Sequence, residues 1–132
     1  MIVLDASAVA ALLFEEPGGD RVADVIAAGD AAMSAVNFSE VAALLMRRQV
    51  QGLIAIMGDL EHQVEVIAFD MSHALQAAFL TPVTASQGLG IGDRACLALG
   101  LALQSPVLTA DRMWAAISDA AGVKIELLRS SS

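Results

Sequence analysis

A chain of 132 residues with a formal net charge of −8 falls at the size of one compact domain and lacks the broad basic surface by which most nucleic-acid binders gather phosphates. Hydrophobic residues make up 57% of it and the mean hydropathy is +0.67, which implies a well-filled core or apolar surface reserved for a partner. Cys96 is the only cysteine, so an internal disulfide is excluded and a reducing, cytoplasmic setting fits; the longest apolar run, residues 95–103, is far short of the ~20 residues a membrane span needs, and the apolar residues 8–14 have no Lys or Arg ahead of them, unlike a secretory signal.

Residues 1–4 are short, apolar and β-branched, as in a buried strand, and 6–14 carry the alanines and leucines of a helix. Pro17-Gly18-Gly19 breaks the chain, and a helical pattern resumes over 21–28 and stops at Gly29. Residues 31–35 read as the second strand. Asn37 then opens a helix to about Gln49, with Phe38, Val41, Ala42 and Leu45 on one apolar face, and Gly52 ends or bends it. Residues 53–63 read as a helix, 64–69 as a strand, and 72–80 as a further helix before Pro82. The run Ser86-Gln87-Gly88-Leu89-Gly90-Ile91-Gly92 is a glycine-rich loop feeding a buried helix over 93–104. Residues 106–109 form a strand, 111–120 a short helix, 123–128 a last strand and 129–132 a loose tail. Alternating strands and helices need crossover connections, which predict a single α/β domain: a three-layer α/β/α sandwich around a mostly parallel sheet of four or five strands.

Four acids fall at or near the junctions from strand or loop into helix: Asp5, Glu40, Asp93 and Asp111. Each has a local explanation. Asp5, Asp93 and Asp111 precede helices whose free backbone N–H groups an N-cap oxygen would satisfy, and Asn37-Phe38-Ser39-Glu40 has the form of a capping box. Capping does not require the four to meet, however, whereas in an open parallel sheet the junctions lie along one edge, where sites form beyond the carboxyl ends of the strands. Carboxylates gathered there repel one another unless a cation lies between them, and Mg²⁺ is commonly held by one or two carboxylates with water and a substrate phosphate completing its octahedron.

Asp5 and Asp93 are accordingly the expected primary metal ligands. Glu40 and Asp111 remain open between binding a second ion, holding water and orienting the attacking hydroxide. Such a site suits phosphodiester hydrolysis, in which the metal acidifies water and offsets charge on the phosphate. Ser7 and Thr109 are placed to hydrogen-bond a ligand carboxylate, or equally to cap and close strand ends. His62 and His73 fall within helical stretches away from the junctions and read as surface or boundary residues.

The motifs Leu4-Asp5-Ala6-Ser7-Ala8, Asn37-Phe38-Ser39-Glu40, Gly92-Asp93-Arg94-Ala95-Cys96-Leu97-Ala98-Leu99 and Leu108-Thr109-Ala110-Asp111-Arg112-Met113-Trp114 resemble, in order and spacing, the PIN-domain ribonucleases, and most closely the VapC toxins of bacterial toxin–antitoxin pairs. The resemblance spans essentially the whole chain. It implies a Mg²⁺- or Mn²⁺-dependent endoribonuclease whose acidic quartet is Asp5, Glu40, Asp93 and Asp111, a homodimer, and a cognate antitoxin that wraps the toxin and sets a basic side chain near the acids. A net charge of −8 is compatible with a basic inhibitor.

Basic and aromatic residues are sparse, so a sequence-blind grip on single strands is expected to be weak. Recognition of a particular folded RNA through Arg47, Arg94 and Arg112 is expected instead, although each also reads as a solvated helix residue. Arg47 lies seven residues beyond Glu40, on the same helix face about 10 Å along the axis. Trp114 reads as a packing residue. Two other readings stay open: a haloacid-dehalogenase-like phosphatase, which would want a second Asp where Ser7 stands and a lysine nearer than Lys124, and a non-catalytic interaction module. The run 88–92 lacks the Gly-Lys-Ser/Thr ending of a nucleotide cradle.

Overall fold

The computed structural model describes residues 1–129. Five short strands, β1 (Ile2–Leu4), β2 (Ala31–Ser34), β3 (Glu65–Ile67), β4 (Val107–Thr109) and β5 (Ile125–Leu127), pair in the order β3-β2-β1-β4-β5. Every neighbouring pair is parallel, so each connection crosses over through helix. Helices α1 (Ala6–Leu13) and α2 (Gly19–Ala27) join β1 to β2, and α3 (Ala35–Arg47) and α4 (Leu53–Gln63) join β2 to β3. From β3 the chain runs through α5 (Met71–Phe79), α6 (Thr81–Thr84) and α7 (Ile91–Leu103) to β4, and then by a 3₁₀ turn, Arg112–Ile117, and α8 (Ser118–Ala121) to β5. The expected α/β/α sandwich forms, with five strands.

Strand side chains alternate between two cores, as the pleat requires. Leu4, Met33 and Leu108 face Val9, Val41, Leu45 and Leu60 from α1, α3 and α4. Val3 and Val107 face the other way, toward Ala77, Leu80, Leu97, Leu99 and Trp114. Residues 95–99 of α7 are buried all round, because the helix lies on the sheet and is flanked by α5 and α3. Each fully buried Leu or Val there contributes roughly 1.5–3 kcal/mol of transfer free energy. Trp114 is wholly buried, as its packing role demands. Among the described residues no helix is long and apolar enough to cross a membrane.

Several boundaries differ from the sequence expectation, each for a local reason. Ser34 ends β2 and caps α3, accepting the Val36 N–H at 3.2 Å, so the helix begins two residues before Asn37. Helix α7 starts at Ile91 with Gly90 as its cap, which makes Asp93 its third residue rather than its cap. The expected loop after residue 80 holds the short helix α6 and a 3₁₀ turn, Ala85–Gln87, with Pro82 in a first turn where no N–H is missed. The segment after Asp111 divides into the 3₁₀ turn and α8. Residues 130–132 of the expected tail lie outside the described residues, but Arg129 is tied down: its Nε–H donates to the Pro17 carbonyl at 2.8 Å and its guanidinium lies 3.5 Å from Glu16.

Candidate active site

The chain lays down β1, moves outward through β2 and β3, and then returns to the other side of β1 with β4. The carboxyl ends of β1 and β4 therefore border the topological switch point, where ligand sites form in such sheets. Asp5 follows β1 directly and caps α1, accepting the Ala8 N–H at 2.8 Å. The Ser7 hydroxyl donates to its carboxylate at 2.8 and 2.9 Å, and the Thr109 hydroxyl, at the end of β4, donates to Oδ2 at 2.6 Å. Each hydroxyl oxygen in turn accepts from the loop after β4, Ser7 from Ala110 N–H and Thr109 from Asp111 N–H, both at 3.0 Å. Asp5 is thus oriented by two loops that clasp each other across the switch point. Burial nevertheless dominates and pushes its carboxyl up from 3.8 to about 6; the bonds from Thr109, Ala8 and Ser7 pull down, and the Asp93 charge adds to the rise.

Asn37 and Glu40 stand one turn apart inside α3, and no capping box forms there. Instead Asn37 Nδ2–H₂ donates to Glu40 Oε1 at 2.8 Å and to the Gly92 carbonyl at 2.9 Å. A Cβ on Gly92 would overlap the Glu40 carboxylate, so the absence of a side chain at residue 92 is what lets Glu40 lie against the start of α7.

Asp93 accepts the Gly90 N–H at 3.1 Å, the reciprocal half of a capping box. Burial raises its carboxyl above 3.8, as do the charges of Glu40 and Asp111, while the Gly90 bond and Arg94 lower it. Asp111 caps the 3₁₀ turn, accepting the Met113 N–H at 3.0 Å. Asp93 is therefore the hub of the four: it acts electrostatically on Asp5 and is acted on by Glu40 and Asp111. Among the described residues none of the four carboxylates has a salt-bridge partner. Nor do any three His, Cys, Asp or Glu side chains there close into a ready-made metal-ligand set. The arrangement is an open acidic edge, not a preformed cage.

The PIN domain pattern matches residues 2–120. The chain belongs to the PIN domain family. Solved structures with the same fold as this PIN domain include a chain of the DNA-bound VapBC from Salmonella typhimurium, with TM-score 0.74 and 16% identity over 97% of this chain and 98% of that one. A chain of VapBC-1 from nontypeable Haemophilus influenzae gives TM-score 0.72 and 19% identity over 97% and 98% of the two chains. VapBC-5 from Mycobacterium tuberculosis, a member of the VapBC family of toxin-antitoxin systems, gives 0.63 and 22% over 95% and 96%. No curated protein sequence matches the chain.

The oxygen donors of this PIN domain fit a hard divalent cation. All four are carboxylates, among the described residues none is salt-bridged, and two of them hold their protons more tightly than free aspartate. An open edge suits Mg²⁺, which keeps several of its waters and takes only one or two carboxylates. Asp5 is held by the Ser7 and Thr109 hydroxyls and the Ala8 amide, and Asp93 by the Gly90 amide. Ser7 and Thr109 form both kinds of bond left open by the sequence, donating to Asp5 and accepting the loop amides of Ala110 and Asp111. Of the arginines, Arg47 is exposed and shares a groove of about 360 Å³ with Ser7, Glu40, Ala110 and Arg129; Arg112 is exposed; and Arg94 folds back onto the Leu89 carbonyl at 3.2 Å. His62 is exposed and His73 partly so. The Cys96 thiol lies buried, pushed far up by burial and by Asp5, Asp93 and Glu40, so it stays neutral and takes no nucleophilic role. Asn37, Gly92 and Arg129 were not among the expected site residues. Asn37 and Gly92 fall within the quoted motifs, but Asn37 reads there as a helix cap, and the roles of Gly92 and Arg129 depend on partners distant in the chain.

Proposed function

We propose that this PIN domain is a divalent-metal-dependent endoribonuclease, the toxin of a toxin–antitoxin pair, which hydrolyses RNA phosphodiester bonds with Asp5, Glu40, Asp93 and Asp111. The observation that carries the reading is electrostatic: Asp93 acts on Asp5 and is acted on by Glu40 and Asp111, and among the described residues none of the four carboxylates lies within salt-bridge distance of a basic side chain. Asp5 and Asp93 would hold Mg²⁺ or Mn²⁺. When bound, the ion would supply acidified water and offset the negative charge on the scissile phosphate. The chain does the rest. Ser7, Thr109 and the Ala8 amide keep the Asp5 carboxylate aimed at the edge, and the Gly90 amide does the same for Asp93. Glu40 and Asp111 complete the quartet by taking a second ion or by orienting the attacking water. Arg47 and Arg112, both exposed, bind flanking phosphates of a folded RNA.

The VapBC likeness and the net charge of −8 favour a basic antitoxin as regulator, and a cytoplasmic setting goes with that role. A homodimer is part of the same proposal. Met71, Leu75 and Phe79 recur every fourth residue along α5 at 78%, 56% and 70% exposure, an apolar stripe that a second copy would cover. The phosphatase reading is disfavoured by placement. Ser7 stands where a second Asp would be needed, and Lys124 immediately precedes β5, at the opposite edge of the sheet from the acids.

Cleavage tests the proposal. Purified protein freed of antitoxin should cut a structured RNA with Mg²⁺ and not with chelator, and Asp5→Asn and Asp93→Asn should each abolish cutting. Undiminished cleavage by either variant would refute the assignment, and release of inorganic phosphate from small esters would favour a phosphatase.

A further inference from the structure

Asn37 is 1% exposed, and its amide makes an unequal set of bonds. Its nitrogen serves two acceptors, Glu40 Oε1 at 2.8 Å and the Gly92 carbonyl at 2.9 Å, one for each of its two hydrogens. Its oxygen, also buried, has no donor. The reverse orientation would set that oxygen against a carboxylate and a carbonyl, so the chemistry of the neighbours decides which way the amide points. An apolar residue of similar size would avoid the unmet oxygen, so packing alone does not account for an amide at this position. Beside Glu40, a Cβ on residue 92 would overlap the carboxylate.

We infer that Asn37 and Gly92 form a seat for the Glu40 carboxylate, with Asn37 a positioning residue that fastens α3 to the first turn of α7. That turn carries Asp93, whose like charge repels that of Glu40. One nitrogen thus grips Glu40 itself and the carbonyl just before Asp93, and so sets the spacing of two carboxylates that would otherwise move apart. Gly92 supplies the space, Asn37 the direction. Neither residue touches the reacting atoms.

The seat is tested first without metal or substrate, and this arm stands whether or not the chain is a nuclease. In ¹⁵N-labelled protein held in chelator, both side-chain amide hydrogens of Asn37 should exchange slowly. Glu40→Ala should release one of them, speeding its exchange at least roughly tenfold, while the other stays protected by Gly92 and Ser39→Ala changes neither. Equal exchange in Glu40→Ala and the parent would overturn the seat. The second arm rests on the nuclease reading. Asn37→Ala should lower kcat for RNA cleavage by about 10–100-fold, the usual effect of removing a group that orients a site residue, with KM changed by less than about twofold. Gly92→Ala, which keeps the amide but displaces Glu40, should reproduce that kcat loss, and it carries this arm if Asn37→Ala does not fold. Full kcat in a folded Gly92→Ala, or a rise in KM with kcat unchanged, would overturn the positioning role. A parent protein that cleaves no RNA would sink the nuclease reading and leave the exchange experiment to decide the seat.

Discussion

Asp5→Asn is expected to stabilise the metal-free protein at neutral pH while removing its chemistry. Burial lifts the Asp5 carboxyl from 3.8 to about 6, so the folded chain binds this proton more tightly than the unfolded chain. Ionisation of Asp5 then opposes folding: the cost is absent below about pH 4, grows between about pH 4 and 6, and is complete above that. A rise of that size corresponds to about 3 kcal/mol. Asparagine escapes this cost but turns an NH₂ group toward Thr109, whose hydroxyl now donates to the carboxylate at 2.6 Å, and the misfit returns about 1 kcal/mol. Urea unfolding in chelator should therefore find the variant about 1–2 kcal/mol more stable than the parent at pH 7.5, with the advantage gone or reversed near pH 4. Excess Mg²⁺ should narrow or erase that advantage at pH 7.5, because the parent gains more binding free energy than the variant, about 2.7 kcal/mol at a hundred times its own Kd. A variant less stable than the parent at pH 7.5 in chelator, or a difference that does not change with pH, would refute the reasoning.

Two further variants probe the clasp and the proposed dimer face. Thr109→Val keeps the shape of a wholly buried residue but removes both the donor to Asp5 and the acceptor of the Asp111 N–H; stability at pH 7.5 should fall by about 2–3 kcal/mol, and a ¹³C titration should show the Asp5 carboxyl higher still. Leu75→Glu with Phe79→Glu, on the exposed stripe of α5, should convert a dimer to a monomer in sedimentation velocity with little change in Tm, whereas a parent already monomeric at micromolar concentration would contradict the dimer.

The sequence carried the α/β/α architecture because its apolar segments alternate in length and period, and because parallel pairing then follows from the helical crossovers. It also carried two of the acid positions well: Asp5 and Asp111 do cap the elements they precede, accepting Ala8 and Met113 N–H groups. What it misjudged were local competitions. Ser34 outcompetes Asn37 as the cap of α3, so Asn37 and Glu40 become neighbours within the helix. Gly90, not Asp93, opens α7, since Asp93 can reach back to the Gly90 N–H from the third position. Pro82 reads as a breaker, yet it opens a one-turn helix, α6, where its missing N–H costs nothing. The seat around Glu40 joins residues 37 and 92, and the Asp5 clasp joins residues 5, 7 and 109. Such pairs are set by the strand order and the start of α7, and no local pattern encodes them.

The central claim is that carboxylates from separate parts of the chain share one divalent ion. Titration of Mn²⁺ into the protein at pH 7.5, followed by electron paramagnetic resonance, tests it most directly. The parent should bind Mn²⁺ and release it to excess Mg²⁺, and Asp5→Asn and Asp93→Asn should each weaken binding by at least about tenfold. Binding undiminished when both aspartates are replaced together would contradict the account.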